Sequence, residues 1–68
     1  MEILDENGKK REIVEGTLKT VTTQMKNEIT GDVETKEFVE FVIHGRTREW
    51  KDWCPLDVFR ERNPGVRV

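Results

Sequence analysis

Residues 36–53 predict a β-hairpin, and this hairpin constrains the fold more than any other part of the chain. Gly45 interrupts an apolar run where a two-residue turn is needed, and a type II′ turn places glycine at its first central position. The sequence therefore predicts two strands, residues 38–43 and 47–53, joined at Gly45-Arg46. The first strand is rich in aromatic and β-branched residues, which fit a pleated, half-buried surface; these are Phe38, Val39, Phe41, Val42 and Ile43.

The register of this hairpin follows from the side chains that each pairing brings together. Moving the turn to His44-Gly45 would set Glu40 opposite Glu49, and like charges in that position destabilise a ladder. With Gly45-Arg46 as the turn, the expected pairs are Ile43 with Arg48, Phe41 with Trp50, Glu40 with Lys51, and Phe38 with Trp53. One face then carries Val39, Phe41, Ile43 and Trp50 and is the natural core. The other face carries Phe38 and Trp53.

Chain length limits how much apolar surface the protein can bury. The 68 residues predict a single domain, 1–68, which buries only about 60% of the surface of its unfolded chain. Cys54 is the only cysteine, so no intrachain disulfide compensates for the small core. We therefore expect binding to a partner, or self-association, to add stability.

Charge and hydropathy favour a soluble cytoplasmic protein. The longest apolar run is Phe41-Val42-Ile43, far short of the ~18 residues of a membrane span. The acidic and then basic N-terminus has no apolar signal region, and the single thiol agrees with a reducing compartment. The 12 basic and 14 acidic residues give a net charge of −2, without the basic excess typical of nucleic-acid-binding proteins.

The first half of the chain predicts strands separated by turns. Residues 2–4 predict a short strand, and Asn7-Gly8 predicts a tight turn after it. Residues 11–23 predict a long strand that bends at Gly16, where the apolar alternation changes parity. Residues 24–36 predict a polar connection. Within it, Ile29 and Val33 are expected to form the arms of a small hairpin around a turn at residues 30–32.

The C-terminal segment predicts one short helix. Pro55 favours a helix start, and Asp57 in the first turn complements the helix dipole. Leu56 and Phe59 are three residues apart and share a face, so we expect both in the core. Asn63-Pro64-Gly65 ends the helix, so the predicted range is residues 55–62. Residues 66–68 alternate like an edge strand, which makes them the expected route to self-association.

These elements predict a mainly β fold. Bent strands, a tight hairpin, one helical turn and a short final strand resemble the small SH3-like barrel in element order. A strongly bent antiparallel sheet with one short helical turn near the C-terminus fits the same order. A small α+β sheet with the Pro55 helix packed across it is the alternative. Peptide-binding SH3 domains line their groove with tyrosines, and this chain has none, so the resemblance does not extend to binding proline-rich peptides.

The sequence offers little for catalysis, and we expect no catalytic, cofactor or metal site. His44 flanks the hairpin turn, and Cys54 follows the far end of the second strand, so roughly 20 Å separates them. One cysteine and one histidine fall short of a four-ligand zinc site. The five glycines are spread singly, so no glycine-rich phosphate loop is present.

The function that these residues favour is a non-enzymatic binding module that contacts another protein or a second copy of itself. Tryptophan is enriched at interface hot spots, although Phe38 and Trp53 also suit a role in covering the sheet. Single-stranded nucleic-acid binding through stacking and phosphate contacts is the alternative. No membrane contact or small-molecule substrate is indicated. The expected partner-binding residues are Phe38, Arg48, Lys51, Trp53, Arg60 and Arg62.

Overall fold

The computed structural model describes residues 1–68 and contains five strands and one short helix. About half of the residues lie in strands, so the predicted mainly β class is confirmed. The elements in chain order are β1 (Glu2–Leu4), β2 (Lys10–Glu12), β3 (Lys19–Lys26), β4 (Val33–His44), β5 (Glu49–Pro55) and α1 (Leu56–Arg62).

The strands form two antiparallel sheets. β1 pairs with β2, and the larger sheet has the order β3-β4-β5. An isolated bridge between Ile13 and Ile43 joins them, and the Val14 N–H donates to the Val42 carbonyl at 2.9 Å. The sheets do not close into a barrel, so the SH3-like barrel is not confirmed.

The N-terminal turn and the break at Gly16 agree with the sequence. Asp5 accepts hydrogen bonds from the backbone N–H groups of Asn7 and Lys9, each at 2.9 Å, and Gly8 has a φ of 77°. The predicted long strand is divided, because Gly16 turns at a φ of 79° between β2 and β3. Glycine adopts this positive φ without the steric cost that other residues incur.

The core lies between the small sheet, α1 and one face of β4 and β5. Phe41 and Phe59 meet there with ring centroids 6.1 Å apart. The burial of Leu56 and Phe59 confirms the predicted core face of the helix. The buried apolar residues are Ile3, Ile13, Val39, Phe41, Ile43, Cys54, Leu56 and Phe59.

The predicted register of the β4–β5 hairpin is wrong by two residues. Phe41 lies opposite Asp52 rather than Trp50, and Trp50 pairs with Ile43. The connection is the longer loop of residues 45–48, in which the Gly45 N–H donates to the Arg48 carbonyl at 2.9 Å. The Trp50 ring lies against Gly45, where a Cβ would come within 2.3 Å of it. A larger side chain at position 45 would therefore collide with this ring and with the Arg48 carbonyl.

A shift of two residues leaves every side chain on its predicted face, because the side-chain period of a strand is two. Val39, Phe41 and Ile43 are buried, as the sequence predicts for the core face, but Trp50, predicted for the same core, is 37% exposed. The predicted pairs of Glu40 with Lys51 and Phe38 with Trp53 are replaced. Glu40 lies opposite Trp53, and Phe38 lies opposite Pro55.

The predicted polar connection at residues 24–36 is instead mostly strand. β3 continues to Lys26, which pairs with Val33 at the start of β4. The turn spans residues 27–32, and Ile29 lies in it with 95% of its surface exposed. The predicted small hairpin with Ile29 and Val33 as arms is therefore wrong. Residues 24–36 are all exposed, so no face of these strands has to be apolar. The alternation of apolar and polar residues that marks a half-buried strand is therefore absent from this segment.

The C-terminal segment confirms the helix and contradicts the final strand. α1 follows Pro55 and ends at Arg62, within one residue of the predicted range. Residues 66–68 form no strand, because the Val66 N–H donates to the Asn63 carbonyl at 3.0 Å and turns the chain back. Val66 and Val68 pack against the core. The expected self-association through this tail therefore has no strand edge to use.

Candidate functional site

The candidate site is the face of the β3-β4-β5 sheet directed away from the core, which we name the outer face. Residues of β4 alternate between the two sides of the sheet, so burial of Val39 and Phe41 directs Phe38 and Glu40 to the opposite side. The strand register adds the neighbours on β3 and β5. Near its centre the outer face carries Lys19, Val21, Phe38, Glu40, Val42, Lys51 and Trp53.

Glu40 is the polar centre of the outer face. Its Oε1 lies 3.3 Å from Nζ of Lys19 on one neighbouring strand and 3.3 Å from Nζ of Lys51 on the other. Its Oε2 accepts a hydrogen bond from Nε1 of Trp53 at 3.3 Å. The Glu40 side chain is only 13% exposed. One carboxylate therefore connects all three strands and orients the indole ring.

The surroundings of Glu40 keep it ionised. Partial desolvation acts to raise its pKa, but the hydrogen bonds and charges of Lys19 and Lys51 outweigh that effect and hold the pKa below its usual value. The negative charge of Glu40 therefore persists at neutral pH and offsets one of the two lysine charges.

Apolar side chains surround this polar centre. Trp53 is 52% exposed, whereas Phe38, Val21 and Val42 are half-buried beside it. Phe38 lies between Val21 on β3 and Pro55 on β5. Trp53 thus stands out from a partly apolar surface on the side of the sheet opposite the core.

The structure brings together only part of the predicted binding set. Phe38, Lys51 and Trp53 share the outer face. Arg48 lies in the turn at residues 45–48, at the far end of the hairpin. Arg60 and Arg62 lie on α1, outside the sheet, and each has different neighbours.

Arg60 lies beside the outer face, and Arg62 does not. Arg60 lines an open groove between residues 35–38 of β4 and α1, together with Pro55 and Leu56. Arg62 Nε donates to the carbonyl of Glu6 at 2.9 Å and attaches the helix to the N-terminal turn. The role of Arg62 in this structure is therefore structural.

Sequence reasoning missed the contribution of β3. Lys19 and Val21 were assigned to a strand without a partner, so their position beside Glu40 and Phe38 was not predicted. The 3.3 Å contact of Lys51 with Glu40 was expected between directly opposed residues, but Lys51 lies opposite Val42. A diagonal contact of this kind depends on the true register.

The two residues with reactive side chains lie apart from each other: Cys54 is in the core, and His44 is at the turn end of the outer face. Cys54 is fully buried, and burial is the main cause that raises its pKa to about 11, which leaves it as an unreactive thiol. His44 Nδ1 lies 3.5 Å from Oε2 of Glu49 at the end of the hairpin. No group of three or more His, Cys, Asp or Glu side chains is placed to hold a metal ion.

The only helix, α1, has seven residues, and no helix of the protein is long and apolar enough to cross a membrane. Comparison of the chain with protein-family models, curated proteins and solved structures finds no match.

Proposed function

We propose that this chain is a non-enzymatic binding module that contacts another protein through the outer face. The observation that carries this proposal is the position of Trp53, which is 52% exposed on a sheet face beside Phe38, Val21 and Val42. Exposed tryptophans surrounded by apolar neighbours are typical of the residues that contribute most to protein interfaces.

The hydrogen bond from Trp53 Nε1 to Glu40 supports this role. A side chain that is already oriented loses less conformational entropy when a partner binds, so more of its contact energy contributes to affinity. Lys19 and Lys51 both pair with Glu40, so the charges of this polar centre are partly matched within the chain and the apolar side chains lie around it. Protein interfaces combine apolar contacts with polar groups in this way.

Binding of single-stranded nucleic acid is the second candidate, supported by Trp53 as a stacking surface and by the two lysines beside it. The charge balance argues against it. On the outer face three glutamates balance three lysines, and the whole chain carries a net charge of −2; the charged residues of the face are Glu34, Glu40, Glu49, Lys19, Lys36 and Lys51. Submicromolar binding to single-stranded DNA or RNA at ~0.15 M salt would favour this second candidate instead.

The proposal depends on the outer face and not on a closed SH3-like barrel. Arg60 extends the surface along the groove beside Phe38, and Arg48 adds a charge at the hairpin turn. We further propose a cytoplasmic location, supported by the free and buried thiol of Cys54.

The test compares the two tryptophans of β5, which lie on opposite faces of the sheet. A protein captured from a lysate by the intact chain should be lost with Trp53→Ala and retained with Trp50→Ala. Circular dichroism of both variants checks that each is folded. Equal capture by the intact chain and by Trp53→Ala would contradict the proposal.

Fluorescence then tests the contact directly. Trp50→Phe leaves Trp53 as the only tryptophan, because the chain has two. Addition of the purified captured protein should shift the emission of Trp53 to shorter wavelength, since binding removes the indole from water. An unchanged emission at saturating partner would show that the partner binds elsewhere.

A further inference from the structure

The outer edge of β3 pairs with no other strand of the chain. β3 is eight residues long, and its central residues 20–25 contain neither a charge nor a proline. The ladder to β4 runs through all eight residues without a bulge. Charges, prolines and bulges are the devices that keep an edge strand from pairing, so this edge is open to a further strand.

β5 is the opposite edge of the same sheet and is protected. Its sequence contains Glu49, Lys51 and Asp52, and it ends at Pro55. Proline lacks an N–H group and cannot complete a ladder, and alternating charges disfavour an approaching strand. Of these two edges, β3 is therefore the one more open to a further strand.

We propose that β3 pairs antiparallel with β3 of a second copy of this chain, about a two-fold axis at Thr23. This register sets Thr23 opposite Thr23 and sets Val21 opposite Met25 of the second copy, twice by symmetry. Threonine pairs and apolar pairs of this kind stabilise a ladder. The interaction goes beyond the binding role of the outer face and does not depend on it.

Apolar pairing distinguishes this register from its neighbours. In the proposed register Lys26 lies opposite Thr20, and Lys19 lies opposite Asn27, so no like charges meet. Directly opposed side chains share a face, so the neighbouring symmetric registers place the axis at Thr22 or at Gln24. These would set Val21 opposite Thr23 or Asn27, whereas the axis at Thr23 pairs Val21 with the apolar Met25.

The surroundings of β3 also favour a second copy. Residues 22–37 form a hairpin arm in which no residue is buried, and Met25 is 52% exposed. A two-stranded hairpin alone is marginally stable in water. Pairing would make the arm four-stranded and would cover the outer edge of β3 in both copies. A symmetric contact of this type closes as a dimer instead of extending into a fibre.

The dimer has a consequence for the outer face. The two-fold axis at Thr23 runs perpendicular to the sheet. The two copies therefore form one six-stranded sheet with both outer faces on the same side. The two Trp53 surfaces would then lie on one continuous face. A partner with two matching sites that has bound one Trp53 surface would meet the second at a high effective concentration, so its overall affinity would rise.

Sedimentation equilibrium across a dilution series tests the association. Thr23→Lys places two lysines opposite each other at the axis and should weaken dimerisation about fivefold or more. Thr47→Lys makes the same charge change in the exposed β4–β5 turn and should dimerise as the intact chain does. An intact chain that stays monomeric at the highest concentration, or a Thr23→Lys variant that dimerises equally well, would overturn the proposal.

Cysteine cross-linking tests the register. Cα atoms directly opposite in an antiparallel pair are about 4.5–5.5 Å apart, within reach of a disulfide. Thr23→Cys should therefore form a covalent dimer under mild oxidation, while the buried thiol of Cys54 stays unreactive. Thr22→Cys, whose symmetry mate lies diagonally about 7–8 Å away, should not. A covalent dimer from Thr22→Cys alone, or from neither variant, would overturn the register.

Discussion

The hairpin arm and the rest of the molecule are stabilised in different ways. All ten buried residues lie outside the arm, residues 22–37, and the protein is elongated, with extents of 43 × 26 × 21 Å. The arm is formed by the β3–β4 ladder and by side chains suited to extended backbone. The rest of the molecule, which we name the core end, also contains the packed helix α1 and the β1–β2 sheet. Strands therefore form in this chain without burial of their side chains, whereas the buried apolar surface lies entirely outside the arm.

This difference predicts how substitutions act. Fully burying a large apolar side chain contributes about 1.5–3 kcal/mol, and such side chains are present only at the core end. Substitutions there should lower the free energy of unfolding strongly. Matched substitutions in the arm or on the outer face should have smaller effects on stability, even where they affect binding.

The largest expected effect is that of Phe59→Ala. Phe59 is fully buried against Phe41, and its removal leaves a cavity, so the free energy of unfolding should fall by about 3–5 kcal/mol. Phe38→Ala, on the outer face and only half-buried, is the matched control and should cost clearly less. Urea denaturation of both variants measures the difference. Equal losses would show that the outer face is as well packed as the core.

Asn63→Ala should have the next largest effect, because this buried side chain connects α1 to β1. Asn63 Oδ1 accepts from the Leu4 N–H at 2.7 Å, and its Nδ2 donates to the Leu4 carbonyl at 2.8 Å and to the Phe59 carbonyl at 3.2 Å. Loss of these bonds leaves backbone groups without partners and should cost about 2–4 kcal/mol.

Asn27→Ala is the corresponding substitution in the arm. Asn27 Oδ1 accepts from the Ile29 N–H at 2.9 Å in an exposed turn, where water replaces a lost bond. We expect a cost of about 1 kcal/mol or less. A cost for Asn27→Ala as large as that for Asn63→Ala, by thermal denaturation, would contradict the comparison.

The core end was largely predictable from sequence, and the arm was not. Val39, Phe41 and Ile43 alternate along a strand, and Leu56 and Phe59 share a helix face, so pattern alone assigns them to the core. Residues 24–36 lack any such pattern, because neither face of the arm is buried. Their strand conformation follows from pairing between segments, which a local reading does not include.

Part of the outer face was likewise predictable from sequence, and part was not. Parity along the β4–β5 hairpin placed Phe38, Lys51 and Trp53 on one face, and the two-residue register error did not change that result. Lys19 and Val21 join the face only through the β3–β4 pairing. The register error itself corresponds to a loop of residues 45–48 in place of the two-residue turn that the position of Gly45 predicted.

At the core end, stability should depend on acid pH through Asp5. Desolvation acts to raise the pKa of this buried carboxyl, but hydrogen bonds from the backbone of Lys9 and Asn7 and from Arg11 lower it below 3.8. Because the unfolded chain binds the proton more readily, this contribution is complete above pH 3.8 and is lost as pH falls through the lower folded pKa.

Asp5→Asn tests this dependence. The variant loses the charge-assisted bond from Arg11 Nε, 3.1 Å from Asp5 Oδ2, and should be about 1 kcal/mol less stable at pH 7. The gap should close as the pH falls, since Asp5 of the intact chain is then protonated. Urea denaturation at several pH values measures the gap. A gap that stays constant down to acid pH would contradict the role of the Asp5 charge.

The smallest expected effect is that of Ile29→Ala at the tip of the arm. Ile29 is 95% exposed, so its removal forms no cavity and exposes no further apolar surface. The free energy of unfolding should change by less than about 0.5 kcal/mol, as is usual for surface positions. Measurement at low protein concentration keeps any association of the arms out of the result. A larger loss under these conditions would mean that the tip packs against the chain, and the division between a stabilising core end and an exposed arm would then be wrong.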